Sequence, residues 1–309
     1  MDYTDIYQGL TVNYLGVYDT FCKGYTLLMR LCWNGMRNIH RQEIKEYLDQ
    51  YPGEINKQNE EGWSALMIAI YNNKDRSQID TIKLLLEYSA DVTLKNNCGK
   101  TALHIASENC KSGSNFETIQ VLLENGSDPN TLDNYQQTSL TLALINNFYK
   151  NNTKTIEILL KYNANPNIHT INGFAIFMIP IEHSDPKTIK LLLRYNANPN
   201  IRNSFGCTPL MVAIDKNTCN EKIIKILLKN CVDTKARDLF GHNALGLAHT
   251  LDKKRKNKNI IKLLRKKNMK QLININKILK EKNELLKKKL NGYYEGVYIL
   301  ELYNVFKDY

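Results

Sequence analysis

The sequence predicts an all-α solenoid of about seven helix–turn–helix units with a basic helical tail at its C-terminus. Three observations lead to this fold class. A glycine-led motif recurs along most of the chain, a leucine-rich motif follows most of its copies, and the spacing between copies is nearly constant. A fixed period in the range of roughly 20 to 50 residues is typical of stacked repeats, in which each unit buries its apolar face against its neighbours.

The first motif opens each unit with a turn that leads into a helix. Successive spacings are 38, 37, 37, 37, 33 and 35 residues. In the fourth unit Gln136 holds the glycine position. The aligned segments are "GYTLLMRL" from Gly24, "GWSALMIA" from Gly62, "GKTALHIA" from Gly99, "QTSLTLA" from Gln137, "GFAIFMIP" from Gly173, "GCTPLMVA" from Gly206 and "GHNALGLA" from Gly241.

The second motif predicts a second helix and the turn that closes it. Its copies are "TIKLLLEYSADV", "TIQVLLENGSDPN", "TIEILLKYNANPN", "TIKLLLRYNANPN" and "IIKILLKNCVDT". Together the two motifs resemble the ankyrin repeat, whose unit runs G-x-T-P-L-H-x-A, then a leucine-rich helix, then a G-A-D-x-N turn. The resemblance covers roughly residues 24 to 267. It implies a non-enzymatic scaffold that binds a protein partner on the concave face and turn tips of the array.

Within a unit, the apolar spacing predicts two helices that face each other. Gly62 permits the turn, and Leu66, Ala69 and Ile70 then form a narrow apolar stripe on the first helix. Residues 79–86 carry the opposing stripe.

Two further features concern where these helices begin and end. Pro180 predicts a kinked or shortened first helix in its unit, whereas Pro186 suits the first position of the next helix. Left-handed caps are expected at the ends of the second helices, with Cys231 the poorest choice among Ser89, Gly126, Asn163, Asn196 and Cys231.

The C-terminal region differs from the array in charge. Residues 253–289 contain sixteen Lys and Arg and two acidic residues, a net charge of +14, so in a chain of +11 the remainder carries −3. Three interpretations stay open: a solvated helix, a nuclear-import or nucleic-acid contact, and a membrane-surface helix. Weak, non-specific nucleic-acid binding is expected at residues 253–289. The anion-binding candidates are Lys253, Lys254, Arg255, Lys256 and Lys258.

Enzymatic chemistry is not predicted. "NCGKTALHIA" contains the Gly-Lys-Thr with which a P-loop ends, but Leu94 stands where that loop needs its first glycine. His104 is assigned a hydrogen-bonding role between repeats by the resemblance, and no nucleophile or orienting acid recurs near it. No C-x-x-C pair exists among the seven cysteines. We expect no cofactor, no metal, no small-molecule substrate and no membrane span, and we expect an intracellular protein, cytoplasmic or nuclear.

The predicted organisation is a capping segment at 1–23, an ankyrin array at 24–267, and a Lys-rich helical tail with an aromatic end at 268–309. An adaptor, with the array holding a target while the tail docks elsewhere, is the alternative to a simple binding module. The composition and "NANPN" turns resemble ankyrin proteins of large DNA viruses or intracellular bacteria, possible host-interaction proteins by analogy. The partner-binding candidates are Asn96, Asn134, Thr170, Asn203 and Asp238 at the turn tips, and Tyr71, Glu108, Asn146, Glu182 and Asp215 after the first helices.

Overall fold

A computed structural model describes residues 24–34, 40–72, 79–109, 115–150, 153–215, 221–251 and 258–306. These residues contain fourteen α-helices arranged as seven antiparallel pairs, which confirms the predicted all-α solenoid. The predicted N-terminal capping segment, 1–23, lies outside them.

The helices of each pair have distinct places in the solenoid. The inner helices are α1 (Leu27–Asn34), α3 (Ala65–Tyr71), α5 (Ala102–Glu108), α7 (Ser139–Lys150), α9 (Ile179–Glu182), α11 (Pro209–Asp215) and α13 (Ala244–Thr250). The outer helices are α2 (His40–Gln50), α4 (Ile79–Glu87), α6 (Asn115–Glu124), α8 (Thr153–Lys161), α10 (Pro186–Arg194), α12 (Glu221–Lys229) and α14 (Lys258–Phe306). Every helix contacts the other member of its pair and the equivalent helix of the next pair.

A continuous apolar core runs between the two helical layers. A buried alanine recurs in five of the inner helices, as at Ala69 and Ala106, and buried leucines face it from the outer helices, as at Leu85 and Leu159. Small alanine side chains let the paired helices approach closely, because helix separation depends on the side chains at the contact. The core is therefore built from the two repeated stripes that the sequence shows.

The turns that precede the inner helices form a second, polar layer. In the turn at 96–100, Asn96 Oδ1 accepts hydrogen bonds from the backbone N–H of Cys98 and of Lys100, each at 3.0 Å. The left-handed residue of this turn is Gly99, with φ +75°. Gln136 takes the same conformation at φ +55° without glycine's freedom. Backbone bonds join neighbouring turns, as from Asn134 N to Cys98 O at 3.0 Å.

The turns that follow the outer helices hold neighbouring repeats together through asparagine. Asn167 donates from Nδ2 to Asn196 O at 3.1 Å and accepts at Oδ1 from Asn198 N at 2.6 Å. Asn56, Asn130 and Asn200 make the equivalent pair of bonds. The last asparagine of "NANPN" is thus an amide clamp between repeats. The predicted left-handed caps are confirmed, with positive φ at Ser89, Gly126, Asn163, Asn196 and Cys231.

The unit that contains Pro180 has a short inner helix, as predicted. Residues Ile176–Met178 form a 3₁₀ turn and α9 then spans only Ile179–Glu182. Proline lacks the backbone N–H that an α-helix interior uses, so it is tolerated here at the start of α9. The next helix begins at Pro186, with Asp185 accepting at its N-terminus from Lys187 N and Thr188 N.

The last helix, α14, belongs to the array at its start and extends beyond it. Ile260, Ile261 and Leu264 are buried against the last units, and Gln271 Nε2 donates to Val232 O at 3.2 Å. The helix continues without interruption through position 267, where the sequence predicts the end of the array. Every side chain at 272–289 is exposed.

Candidate functional site

Four of the predicted turn-tip residues hold the turns themselves. Asn96, Asn203 and Asp238 each accept two turn N–H groups through one side-chain oxygen, and Thr170 Oγ1 accepts from Phe174 N at 3.3 Å. Asn96 is only 7% exposed. The side-chain oxygens of these four residues are therefore engaged within their own turns. That they contact a partner stays a prediction.

Two other predicted residues, Asn134 and Asn146, each lie one residue after the repeat position that the other candidates share. Asn134 follows Asp133, which takes the turn-holding role, and its Nδ2 donates to Asn97 O at 2.9 Å. Asn146 donates to Glu108 O at 2.8 Å and so links two inner helices. Ile145, 37% exposed, holds the position that corresponds to Glu108 in the neighbouring repeat.

The remaining helical candidates form one row along the concave face. This row contains Trp33, Tyr71, Glu108, Ile145, Glu182, Asp215 and Thr250. A second row lies beside it. This row is formed by the residues that follow the turn glycines, and each lies eight positions before its neighbour in the first row. Lys100 Nζ lies 2.6 Å from Glu108 Oε2, and the rings of Trp63 and Tyr71 have centroids 5.5 Å apart, so the two rows are in contact.

Sequence reasoning missed an apolar row at the turn tips. Tyr135, Ile171, Phe205, Leu239 and Phe240 are between 59% and 74% exposed, on four successive repeats. The turns before Gly62 and Gly99 carry Glu60, Glu61, Asn97 and Cys98 at these positions. Large exposed apolar side chains in a contiguous row mark interaction surfaces in soluble proteins. The signal was available, because each of these residues lies one or two positions after the residue that holds its turn.

His104 performs the structural role that the resemblance assigns to it. Its Nδ1 accepts from Thr101 N at 3.2 Å, and its Nε2 donates to Gln137 O of the next repeat at 3.1 Å. Burial lowers the pKa of His104, against the opposing effect of the Gln137 carbonyl. The neutral imidazole satisfies both partners, since one ring nitrogen accepts and the other donates.

Only one of the five basic candidates lies within the described residues. Lys253, Lys254, Arg255 and Lys256 lie outside them, and Lys258 is exposed at the start of α14. Farther along α14, Glu281 Oε1 lies 3.9 Å from Lys277 Nζ, and Glu284 Oε1 lies 3.5 Å from Lys287 Nζ. Both acids of the segment thus have a lysine partner. In the part of the chain with described structure, no helix is long and apolar enough to cross a bilayer.

Comparison with known proteins identifies the repeat. The family model "Ankyrin repeats (3 copies)" matches overlapping segments at 7–96, 28–133, 77–170, 109–203 and 177–277. The chain belongs to the ankyrin repeat family. Ankyrin repeats are in general protein–protein interaction modules, and their fold is typically non-enzymatic. The concave rows and turn tips of this ankyrin array are therefore its candidate interface.

Similar proteins agree with this assignment. Two putative ankyrin repeat proteins of Acanthamoeba polyphaga mimivirus are 41% identical over 73 residues and 44% identical over 66 residues. These segments are 23% and 21% of this chain but only 13% and 12% of those relatives, so about an eighth of their length is matched. The crystal structure of the ankyrin repeat domain of Bcl-3 superposes with a TM-score of 0.65 at 19% identity, covering 79% of this chain and 99% of that one. This likeness concerns the fold.

Proposed function

We propose that this protein is a binding module that holds another protein on its concave face and turn tips. One observation carries the proposal. Charged, aromatic and apolar side chains are exposed in rows on a scaffold whose own polar groups are bonded between repeats, as at Asn146 and His104. Interfaces gain affinity when their contact residues are already ordered, because less conformational entropy is lost on binding.

Within this surface, two parts differ in chemistry. The later turn tips present the apolar row from Tyr135 to Phe240, while the concave row beside them carries Glu182 and Asp215. An apolar centre flanked by charges is the common anatomy of a protein interface. We therefore assign the partner's main contact to the last four repeats of the array.

The test is capture of a protein partner from a host-cell lysate, followed by substitution. Phe205→Ala with Phe240→Ala should weaken capture at least tenfold, because large apolar anchors dominate interface energies. The matched control is Lys190→Ala with Lys225→Ala, two exposed changes on the outer helices. Capture that survives the turn-tip substitutions, with circular dichroism showing folded protein, would remove this site assignment.

We also propose a second, electrostatic activity for α14. All lysines at 277–289 are exposed, and the two acids among them already have lysine partners. Such a helix attracts phosphate-rich polymers through counterion release, and the affinity falls steeply with salt. Residues 258–289 contain no aromatic side chain, so we expect binding without base stacking and without sequence preference.

A filter-binding titration against duplex DNA or RNA at low and near-physiological salt tests this activity. Removing α14 altogether would also remove the buried Ile260, Ile261 and Leu264. The informative variant instead changes the exposed lysines to glutamine at Lys277, Lys280, Lys282, Lys287, Lys288 and Lys289. Loss of binding in this variant supports the proposal. Equal binding by both proteins assigns α14 to a solvated cap.

The adaptor alternative requires a second partner on α14. Affinity capture with the full chain and with residues 1–271, which keep the last bonds between α14 and the array, separates the two cases. An adaptor would keep its target and lose another protein on truncation. We place the action of the module inside a host cell, as its mimivirus relatives suggest. Imaging a tagged chain in amoebae tests that placement.

A further inference from the structure

The first two repeats carry an aromatic cluster on the concave face, formed by Tyr25, Trp33, Trp63 and Tyr71. The ring centroids of Tyr25 and Trp33 are 6.4 Å apart, and those of Trp33 and Tyr71 are 6.3 Å apart with planes inclined by 19°. Trp63 meets Tyr71 edge-on at 5.5 Å. Four rings thus form one connected surface, and it contains both tryptophans of the chain.

The aromatic cluster is accessible to a ligand and fixed in position. Tyr71 is 48% exposed and the other three rings are partly exposed, whereas the nearby core residues Leu28 and Leu66 are buried. Asparagine side chains of the following repeats bond the backbone carbonyls of two cluster residues: Asn72 Nδ2 reaches Trp33 O at 3.1 Å, and Asn109 Nδ2 reaches Tyr71 O at 3.3 Å. Ordered aromatic rings that remain exposed are frequent binding hot spots.

Two acidic residues, the turn acids Glu60 and Glu61, lie at the tip of the turn that leads to Trp63. Both are exposed, and neither carboxylate enters an ion pair with another residue in the described ranges. Glu60 Cγ lies 3.2 Å from the position that a Cβ on Gly24 would occupy, which sets this side chain beside the residue that precedes Tyr25. Asn97 Nδ2 donates to Glu60 O at 3.0 Å and so fixes the tip.

Among the described residues near the aromatic cluster, the other charges are one ion pair and one arginine. In the next repeat, the Lys100 ammonium lies 2.6 Å from Glu108. Arg30 is exposed on α1 and is the only charged residue in that helix. The described turn beside the cluster is therefore negative, while the ring faces attract cations through their quadrupoles.

We propose that the aromatic cluster and the turn acids form a subsite for a cationic side chain of the bound partner, with arginine preferred over lysine. The guanidinium group is planar, stacks on aromatic faces and donates in a fork to carboxylates, whereas an ammonium group is compact and strongly hydrated. This inference rests on the proposed function, because the subsite belongs to the same concave face. It specifies the chemical class of one side chain in the partner.

Tryptophan fluorescence of the full chain tests the subsite directly, since both reporters lie in it. The probe is the peptide acetyl-Gly-Ser-Arg-Ser-Gly-amide, titrated to about 10 mM because a single contact gives millimolar affinity. Its control is the same peptide with citrulline, a neutral isostere, in place of arginine. We expect a saturable emission change with the arginine peptide, at least threefold weaker binding of the citrulline peptide, and weaker binding in salt.

Two variants with the same loss of charge complete the design. Glu60→Gln with Glu61→Gln should weaken arginine-peptide binding at least threefold. Glu87→Gln with Glu124→Gln, on exposed outer-helix positions, should leave it unchanged. Circular dichroism melting confirms that both proteins fold. Equal binding of the two peptides, no saturable change, or equal effects of the two variants would overturn the subsite.

The outcome is separable from that of the proposed function. Capture of a protein partner that depends on Phe205 and Phe240, with no arginine-peptide binding, would leave the module in place and remove the subsite. Peptide binding with capture insensitive to these turn-tip residues would retain the subsite and move the main interface.

Discussion

The His104 side chain bonds two neighbouring repeats, and its protonation limits the pH range in which it stabilises the array. Its Nδ1 accepts from the Thr101 N–H and its Nε2 donates to the Gln137 carbonyl. The inner helices α1 and α11 carry methionine at this position, and there the thioether accepts from the same N–H, as from Thr208 N to Met211 Sδ at 3.4 Å. Methionine thus keeps the contact within the repeat and lacks the donor to the next one.

His104→Met should remove a pH-dependent part of the stability. Because burial lowers the folded-state pKa of His104, the unfolded chain binds a proton that the folded chain resists. The wild type is therefore fully stabilised above the unfolded pKa of about 6.5 and loses this contribution as pH falls towards the lower folded value. We expect the variant to cost about 1 kcal/mol at pH 8 through the lost bond.

Urea unfolding at pH 8 and pH 5.5 measures the effect. The difference in unfolding free energy between the two pH values should be smaller in His104→Met than in the wild type. His249→Met, an exposed change on α13, is the control. An identical pH dependence in the wild type and His104→Met would show that another group is responsible.

Gly99 illustrates a position where both conformation and space require glycine. A Cβ at Gly99 would lie 2.7 Å from Asn134 N, on a residue with φ +75°. Gly99→Ala should therefore cost about 3 kcal/mol, combining left-handed strain with a backbone clash. Gly241→Ala, at φ +82° with nothing within 4 Å, should cost about 1 kcal/mol.

Thermal melting of these variants separates the two effects. Gly53→Ala, at a glycine without positive φ and with nothing within 4 Å, should change little and is the control. The reverse change, Gln136→Gly at φ +55°, should stabilise the fourth turn by about 1 kcal/mol. Similar losses for Gly99→Ala and Gly241→Ala would mean that the turns separate to accommodate the new side chain.

At the scale of elements, the amide clamps give the "NANPN" turns a structural role. The "NANPN" turns recur because the last asparagine bonds both a carbonyl and an N–H of the next repeat, as Asn167 does. Thr93 holds this position in one repeat and bonds Asp91 of its own turn instead. The junction between this repeat and the next therefore lacks the clamp.

Substitutions at two equivalent positions test the clamp. Asn167→Ala should destabilise the array by about 1 kcal/mol, since two bonds between repeats are replaced by bonds to water. Thr93→Asn should stabilise it by up to about 1 kcal/mol by adding the missing clamp. Asn172→Ala, on an exposed turn tip, is the control. Denaturant midpoints measure all three, and a neutral Asn167→Ala would show that the clamp follows from packing without supporting it.

The elements could be predicted from the sequence and the interface only in part, for a physical reason. Each helix, left-handed cap and shortened segment has a local cause in the chain, as Pro180 and Gly99 show. The exposure of a surface residue instead depends on bonds to the next repeat. Asn146 and Ile145 are neighbours in the sequence, yet one links two helices and the other is exposed. Prediction by repeat position alone therefore cannot separate such neighbours.

At the scale of the whole molecule, stability and charge are distributed unequally. The array is a series of nearest-neighbour contacts, so each repeat depends on the next one. Residues 272–289 of α14 have exposed side chains throughout, and their charge is mostly positive. Most helical stability in proteins comes from packing of an apolar face. Among the described residues, this part of α14 has no such packing.

Hydrogen exchange should therefore divide the molecule into two classes. Backbone amides of α5 and α7, between buried neighbours, should exchange by cooperative opening, whereas amides at 272–289 should exchange near the rate of an isolated helix. Adding duplex DNA at low salt should slow exchange in α14 and leave α5 unchanged, because counterion release acts where the lysines are. Exchange resolved by mass spectrometry on peptides measures both. Strong protection of 272–289 without any additive would instead mean that a second copy of the chain covers the exposed Leu272, Leu279 and Leu286. A molecular mass by light scattering that rises with protein concentration would identify that dimer.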